Sequence, residues 1–217
     1  MTLAIFDLDN TLLRGDSDYE WGRFLVEIGA VDAALAGREH DRYYSEYVAG
    51  TLDILEFLAF QLRPLAEHDL QTLEAWRRRF VHTRIRPLIS GPARALVERH
   101  RAAGDTLLII TATNSFITRP IADAFGISHL IATEPERRDG RFTGRVAGVP
   151  SYREGKVRRL EDWLAAHGES MTGSTFYSDS HNDIPLLERV DHPVAVNPDD
   201  QLERHARERG WEVIALE

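Results

Sequence analysis

Four short apolar runs, LAIFDL (3–8), TLLIITAT (106–113), STFYSDS (174–180) and PVAVN (193–197), constrain this chain more than any other feature. Each is brief and rich in β-branched or aromatic residues, and most close on polar or small residues, the pattern of strands covered on both faces. Helical periods lie between them. Residues 92–103 put Ala93, Leu96 and Val97 on one face, with Pro92 in the first turn and Gly104 as the stop. Residues 154–166 do the same with Val157, Leu160 and Leu164, ending near Gly168. Strand and helix therefore alternate from about residue 88, which predicts an α/β fold with helices covering a mostly parallel sheet.

Residues 15–87 break this alternation. Trp21, Phe24, Leu25 and Ile28 fall at helical spacing, as do Leu52, Leu55, Ala59 and Leu62. Leu70, Leu73, Trp76 and Phe80 form a third such set, led by Asp69 as the helix cap. About seventy helical residues thus separate the first strand from the second α/β unit, far more than an ordinary connection. The division expected is a core of residues 1–14 and 88–217 with a helical insert, 15–87, standing over the sheet. Residues 131–149 read as a hairpin turning at Asp139-Gly140.

Charge and composition narrow the function. A formal charge of −9 argues against nucleic acid or an anionic membrane as the main partner. The chain has no cysteine, which excludes disulfides, thiolate chemistry and cysteine-ligated metals. Asp7 and Asp9 interrupt any secretory signal pattern at the start, and the longest apolar run, LLII, is far short of the roughly 20 residues that span a bilayer. The expectation is a soluble, cytoplasmic protein with a small-molecule ligand.

Ligands of open parallel sheets bind at the carboxyl ends of the strands. Those ends carry, in order, Asp7 and Asp9, then Thr111, then Asp179 with Asp183, then Asn197. Clustered carboxylates repel and are costly to desolvate, so a cation is their natural neutraliser, and an oxygen-only donor set favours Mg²⁺. Such a site suits phosphoryl transfer, in which one carboxylate attacks phosphorus and a second moves protons. Asp7 and Asp9 lie on one side of an extended chain and supply that pair. Lys156, at the head of a helix, is placed to meet phosphate oxygens.

Each feature also has a plain structural reading. An Asp-x-Asp pair after a strand is usually a turn or cap, Thr111 a strand-end residue, Lys156 a solvated lysine, and SDSHND a strand-to-helix turn. GVPSYREGKV has the wrong glycine spacing for a phosphate loop, and Val157 stands where Ser or Thr is needed. His40-Asp41 has no second histidine cluster to complete a metal pair, and RRRF (77–80) reads as a solvated helix face. Trp21, Phe24 and Phe57 read as packing residues. His181 reads equally as a substrate contact or a solvent-facing side chain, and Asp16, Ser17 and Asp18 as cleft-lining residues.

Taken in order, DLDNT (7–11), Thr111 in IITAT, Lys156 and SDSHND (178–183) resemble the four motifs of haloacid dehalogenase-like phosphohydrolases. The helical insert after the first motif resembles the type-C1 cap of subfamily I, in the branch that includes phosphoserine phosphatases. The resemblance implies a three-layer Rossmann-like core with an inserted helical cap, and Mg²⁺-dependent hydrolysis of a small phosphomonoester through a phosphoaspartate. It implies that Asp7 is nucleophile and metal ligand, and that Asp9 is the general acid/base, with its carbonyl facing the metal. Thr111 and Lys156 would bind phosphate, Asp179 and Asp183 would hold Mg²⁺, and Thr11 and Asn182 would support the site. Two positions depart from the pattern: Ser178 stands where glycine is common, and Asn10 where phosphoserine phosphatases have serine. No equivalent of their substrate-reading acidic and arginine residues stands out in the insert. The resemblance points to small amine-bearing substrates such as histidinol phosphate or phosphoserine. Phosphotransfer to an alcohol through the same phosphoaspartate, or a phospho-accepting regulatory module, are the competing readings.

Overall fold

A computed structural model describes residues 2–216. Seven strands form one sheet: β1 (Leu3–Phe6), β2 (Thr106–Asn114), β3 (His129–Arg138), β4 (Arg141–Ala147), β5 (Thr175–Ser178), β6 (His192–Val196) and β7 (Glu212–Ile214), in the order β4-β3-β2-β1-β5-β6-β7. All neighbours are parallel except β3 and β4. The strand order reverses at β1, so the crevice between β1's two neighbours opens at its carboxyl end.

Period-two alternation builds the layers. Ala4, Phe6, Leu107, Ile109, Tyr177 and Val194 face one side of the sheet. There they pack on helices α5 (Gly91–Ala103) and α6 (Ser115–Ala124). Leu3, Ile5, Leu108, Ile110, Phe176 and Ala195 face the other. They meet α7 (Glu154–His167), α8 (Ile184–Leu187) and α9 (Asp200–Arg209). The fold is thus a three-layer, mostly parallel α/β structure. Ser90 caps α5 through Ala93 N, and Gly104 (φ 81°) and Gly168 (φ 67°) end α5 and α7 in the left-handed region. The hairpin turns at Asp139-Gly140, both at positive φ, the type I′ geometry. Strand β3 also pairs with β2, making the hairpin an extension of the sheet. β7 escapes sequence reading because it is a three-residue edge strand with its side chains largely in solvent.

Four helices occupy the stretch between β1 and α5: α1 (Ser17–Glu27), α2 (Ala33–Ala49), α3 (Ile54–Glu67) and α4 (Leu70–Phe80). A π-helical turn (Val81–Ile85) and a short 3₁₀ turn return the chain to the core. Asp16, Asp32, Asp53 and Asp69 cap the four helices in turn. Trp21 stacks on Phe24 and meets Phe80 and, edge to face, Phe116 of α6, so α1 and α4 share the core cluster of the sheet's first face. Two expectations need correction. The buried stripe of α3 is Leu58, Leu62 and Leu65, while Leu55 is 62% exposed, because the apolar set of this helix spans two faces and only one packs. RRRF is not simply solvated: Arg77 donates to the Phe116 carbonyl and lies 4.4 Å over its ring, and Phe80 is fully buried. Among the described residues, no helix is long and apolar enough to cross a membrane.

Candidate active site

The carboxyl edge of β1, β2 and β5 and the overlying helices enclose a cavity of about 190 Å³. Asp7, Asp9, Thr111, Lys156, Asp179, Asn182 and Asp183 all line it. Asp7 follows β1 and donates its backbone N–H to Tyr177 O of β5 at 2.9 Å, which fixes it at the strand tip. The chain then turns sharply: Leu12 and Leu13 N–H groups donate to Leu8 O, and Asn10 N–H to Gly15 O. Asn10 sits at φ 56°, a left-handed conformation that asparagine tolerates better than serine, which accounts for the residue at this position.

Lys156, in the first turn of α7, donates to Asp7 Oδ1 at 2.8 Å and to Asp183 Oδ2 at 2.7 Å. All three are almost completely buried. Gly155 lets the helix start this close to the core, since a Cβ there would collide with the Pro150 carbonyl oxygen. Ser178 Oγ donates to Asp183 Oδ2 at 2.6 Å and accepts from Ser180 N–H at 3.2 Å. The serine in place of glycine therefore holds an acidic side chain of the site. Thr11 donates to Asp179 Oδ1 at 3.0 Å. Thr111 is 1% exposed, and its Oγ1 accepts from Thr113 N–H at 3.2 Å. Asn182 Oδ1 accepts from Tyr152 OH at 3.0 Å and from Arg153 Nε at 2.8 Å.

Asp9 is held by two contacts that sequence reading did not assign to it. Its Oδ2 accepts from Thr113 Oγ1 at 2.8 Å and its Oδ1 from Ser17 N–H at 2.6 Å. The signal for Thr113 was present: in TAT, positions 111 and 113 point the same way from a strand. The Ser17 contact is a backbone donor at the start of α1 and leaves no mark in residue type. Phe57, expected as packing, lines the cavity, as do Tyr43, Tyr44 and Tyr47. Tyr47 OH and Ser180 Oγ lie 2.7 Å apart and join α2 to the strand-β5 loop. Asp16 and Asp18 line the cavity too, and Ser17 is fully buried. His181 is neither a cavity residue nor a free surface group: its N–H and Nδ1 both bond Asp199 at 2.8 Å.

Burial dominates the electrostatics. Desolvation pushes the Asp7 carboxyl up to about 7, with Asp183 and Asp9 adding to the rise and Lys156 opposing it. Desolvation and Asp16 raise Asp9 to about 6, against the hydrogen bonds from Ser17 and Thr113. Asp179 is raised well above the ordinary carboxylate range by burial and by Asp7 and Asp183. Lys156 stays charged: its two carboxylate partners outweigh its own desolvation and raise it. One lysine, paired with Asp7 and Asp183, thus shares the cavity with four carboxylates of the strand ends.

The donor set fits a hard divalent cation. It offers only oxygens, it is short of positive charge, and Asp179 and Asp183 each keep one carboxylate oxygen free of the hydrogen bonds described. Among the described residues, no three His, Cys, Asp or Glu side chains are placed to hold a metal ion by themselves. A cation held here would need water and substrate phosphate to complete its coordination. The arrangement can place a carboxylate nucleophile beside a lysine, with a second, partly protonated carboxyl two residues on.

The family model described as haloacid dehalogenase-like hydrolase matches residues 4–188. A histidinol-phosphatase of Neisseria meningitidis serogroup C is 49% identical over 216 residues, covering 98% of this chain and 97% of its own. A crystal structure of a protein of unknown function from Bordetella pertussis Tohama I superposes with a TM-score of 0.94 at 50% identity, covering both chains completely. A phosphoserine phosphatase solved as a phospho-aspartyl intermediate analogue has a TM-score of 0.72 at 18% identity, covering all of this chain and 93% of that one. This last likeness is one of fold.

Proposed function

The chain belongs to the haloacid dehalogenase-like hydrolases, and from that premise we propose that it is a Mg²⁺-dependent phosphatase acting on small phosphomonoesters, histidinol phosphate first among them, through a phosphoaspartate. The observation that carries the reading is the buried Asp7–Lys156–Asp183 bridge, with Asp9 beside it on its own hydrogen bonds. The 49% identical histidinol-phosphatase, matched over nearly its whole length, supports the choice of substrate.

Lys156 meets a phosphate oxygen, orients Asp7 and favours its ionised form. An Asp7 carboxylate oxygen attacks phosphorus as the bond to the substrate alcohol breaks, and Asp9 gives its proton to the departing alkoxide. Asp9, near 6, supplies both protonation states close to neutral pH. Its carboxylate next takes a proton from water, which attacks the phosphorus of the acyl phosphate, releasing inorganic phosphate and restoring Asp7. Thr111 donates to a phosphate oxygen. Asp7, Asp179, Asp183 and the Asp9 carbonyl would hold Mg²⁺, which when bound offsets the phosphate's negative charge. Residues 15–87 act as a cap over residues 1–14 and 88–217, and their closure keeps water from competing with Asp7.

The test is phosphate release from histidinol phosphate, phosphoserine and p-nitrophenyl phosphate with and without Mg²⁺. Turnover is expected only with the metal. Asp7→Asn is expected to lose at least 10³-fold in kcat while remaining folded by circular dichroism. A folded Asp7→Asn retaining full activity would remove the phosphoaspartate from the scheme.

A further inference from the structure

One residue beside the site stands in a backbone conformation that its type does not favour. Tyr152 to Gly155 form a tight turn, closed by Gly155 N–H donating to Tyr152 O at 2.8 Å. Arg153, the second residue of that turn, lies at φ 49° and ψ −122°, the geometry that glycine fills in a type II′ turn. An L side chain is strained there, and such strain persists only where the surroundings hold it in place. The turn opens α7. Lys156 N–H donates to Arg153 O at 2.9 Å, so the same turn sets where the Lys156 side chain leaves the backbone.

The guanidinium is what holds it. Arg153 Nε donates to Asn182 Oδ1 at 2.8 Å, and Nη2 donates to the carbonyl of Gly50, the carboxyl cap of α2, at 2.9 Å. Gly50 makes room for this approach, since a Cβ there would stand 3.1 Å from Nη2. Among the described residues no carboxylate pairs with Arg153, so its planar fork serves the geometry of two neutral oxygens. The contacts close into a ring. Asn182 Nδ2 donates to Ser180 Oγ at 3.3 Å, and Ser180 Oγ lies 2.7 Å from the OH of Tyr47, in the last turn of α2. Ser180 and Asn182 are buried, and both belong to the short segment between Asp179 and Asp183. That segment is therefore clasped to α2 at two points, through Tyr47 and through Arg153.

We infer that Arg153 is a positioning residue that couples the seating of α2 to the setting of the segment between Asp179 and Asp183. With α2 seated, the ring fixes both carboxylates and the turn that carries Lys156. With α2 displaced, Ser180 loses Tyr47, Arg153 loses the oxygen that steadies it, and the segment loosens. Partners that orient metal-holding side chains govern affinity, and coupling between two places is reciprocal. Helix α2 is thus seated more firmly when Asp179 and Asp183 hold a divalent cation. The inference rests on the phosphatase reading above for the role of those two carboxylates.

Calorimetric titration with Mg²⁺ and hydrogen exchange at residues 44–50 test it on wild type, Arg153→Gly, Tyr47→Phe and the double variant. Glycine suits the turn, so Arg153→Gly is expected to fold. It is expected to bind Mg²⁺ about 10- to 100-fold more weakly, the range for a partner that orients a metal-holding side chain. Tyr47→Phe is expected to weaken binding too, and the double variant to lose no more than about threefold beyond Arg153→Gly, because the ring acts as a unit. In wild type, Mg²⁺ is expected to slow exchange at residues 44–50 at least about fivefold more than in α4, an excess that Arg153→Gly abolishes. Wild-type Mg²⁺ affinity in Arg153→Gly, or single losses that multiply in the double variant, overturns the inference. Hydrolysis of p-nitrophenyl phosphate by the wild type then leaves the phosphatase reading standing. A wild type that shows the coupling but hydrolyses no phosphomonoester removes that reading alone, and one that binds no Mg²⁺ removes both. Should Arg153→Gly not fold, wild-type exchange decides: slowing by Mg²⁺ that is no greater at residues 44–50 than in α4 refutes the role.

Discussion

Metal-free protein should be more stable at pH 5 than at pH 8, the reverse of the usual behaviour of proteins held by ionised carboxylates. Asp7 rises from 3.8 to about 7 and Asp9 from 3.8 to about 6 on folding, in each case chiefly through burial. The folded state thus binds more protons than the unfolded chain between about pH 4 and 7, so its stability falls as pH rises through that window. From pH 5 to 8, Asp7 alone accounts for about 3 kcal/mol and Asp9 for about 1 kcal/mol. The two repel, and about 3 kcal/mol is a fair figure for the pair. Asp16, Asp18 and Asp179 are raised as well and act in the same direction. His129, lowered by burial and His167, acts in the opposite direction below its ordinary range. The lowered carboxylates Asp105 and Asp199 lose their contribution only below this window. At roughly 2–4 °C per kcal/mol for a chain of this size, Tm in a chelator should drop by about 6–12 °C between pH 5 and 8. Asp7→Asn should remove more than half of the drop. Mg²⁺ should raise Tm more at pH 8 than at pH 5, since protons and metal compete for the same oxygens. Scanning calorimetry across this range is the assay. A flat or rising Tm in chelator, or a full slope in Asp7→Asn, would refute the reasoning.

Two further outcomes follow from contacts around the nucleophile and its partner. Gly155→Ala drives a Cβ into the Pro150 carbonyl and displaces the turn that carries Lys156; it should cost about 1–3 kcal/mol in chemical denaturation and lower kcat with it. An unchanged midpoint would show that the turn relaxes freely. Thr113→Val keeps the shape but removes the donor to Asp9 Oδ2, so kcat should fall about tenfold with KM nearly unchanged. A wild-type kcat would mean that Ser17 N–H alone positions Asp9.

What was legible in the sequence is what leaves a mark in residue type and period. The buried strands, the helices α5 and α7, the Asp139-Gly140 turn and the acidic strand ends all do so, because each depends on local spacing or on a side chain needed for its own chemistry. Contacts made by backbone groups or between distant elements do not. Ser17 N–H on Asp9, the packing of Arg77 on Phe116, and the pairing of Gln61 with Asp18 across 43 residues arise only once the helices are placed. Ser178 shows the same limit from another side. As a letter it is a departure from glycine, whereas in the fold it is a donor to Asp183.

Composition also hides how unevenly the helical segment is attached. Its two ends, α1 and α4, are fastened by Trp21, Phe24 and Phe80 into the cluster under the sheet, and Leu62 and Leu65 bring the second half of α3 into the same cluster. Helix α2 contributes one buried residue, Tyr43; His40 packs on Tyr19 of α1 and Arg42 pairs with Glu56 of α3, and the ties to the core are polar contacts at its carboxyl end: Arg153 Nη2 to Gly50 O, Tyr47 with Ser180, and Gln201 Nε2 to Val48 O. Polar contacts of this kind exchange readily for water, whereas opening the aromatic cluster would expose several large side chains at once. Access to Asp7 is therefore gained most cheaply by displacing α2 with the start of α3, the elements that carry Tyr43, Tyr44, Tyr47 and Phe57.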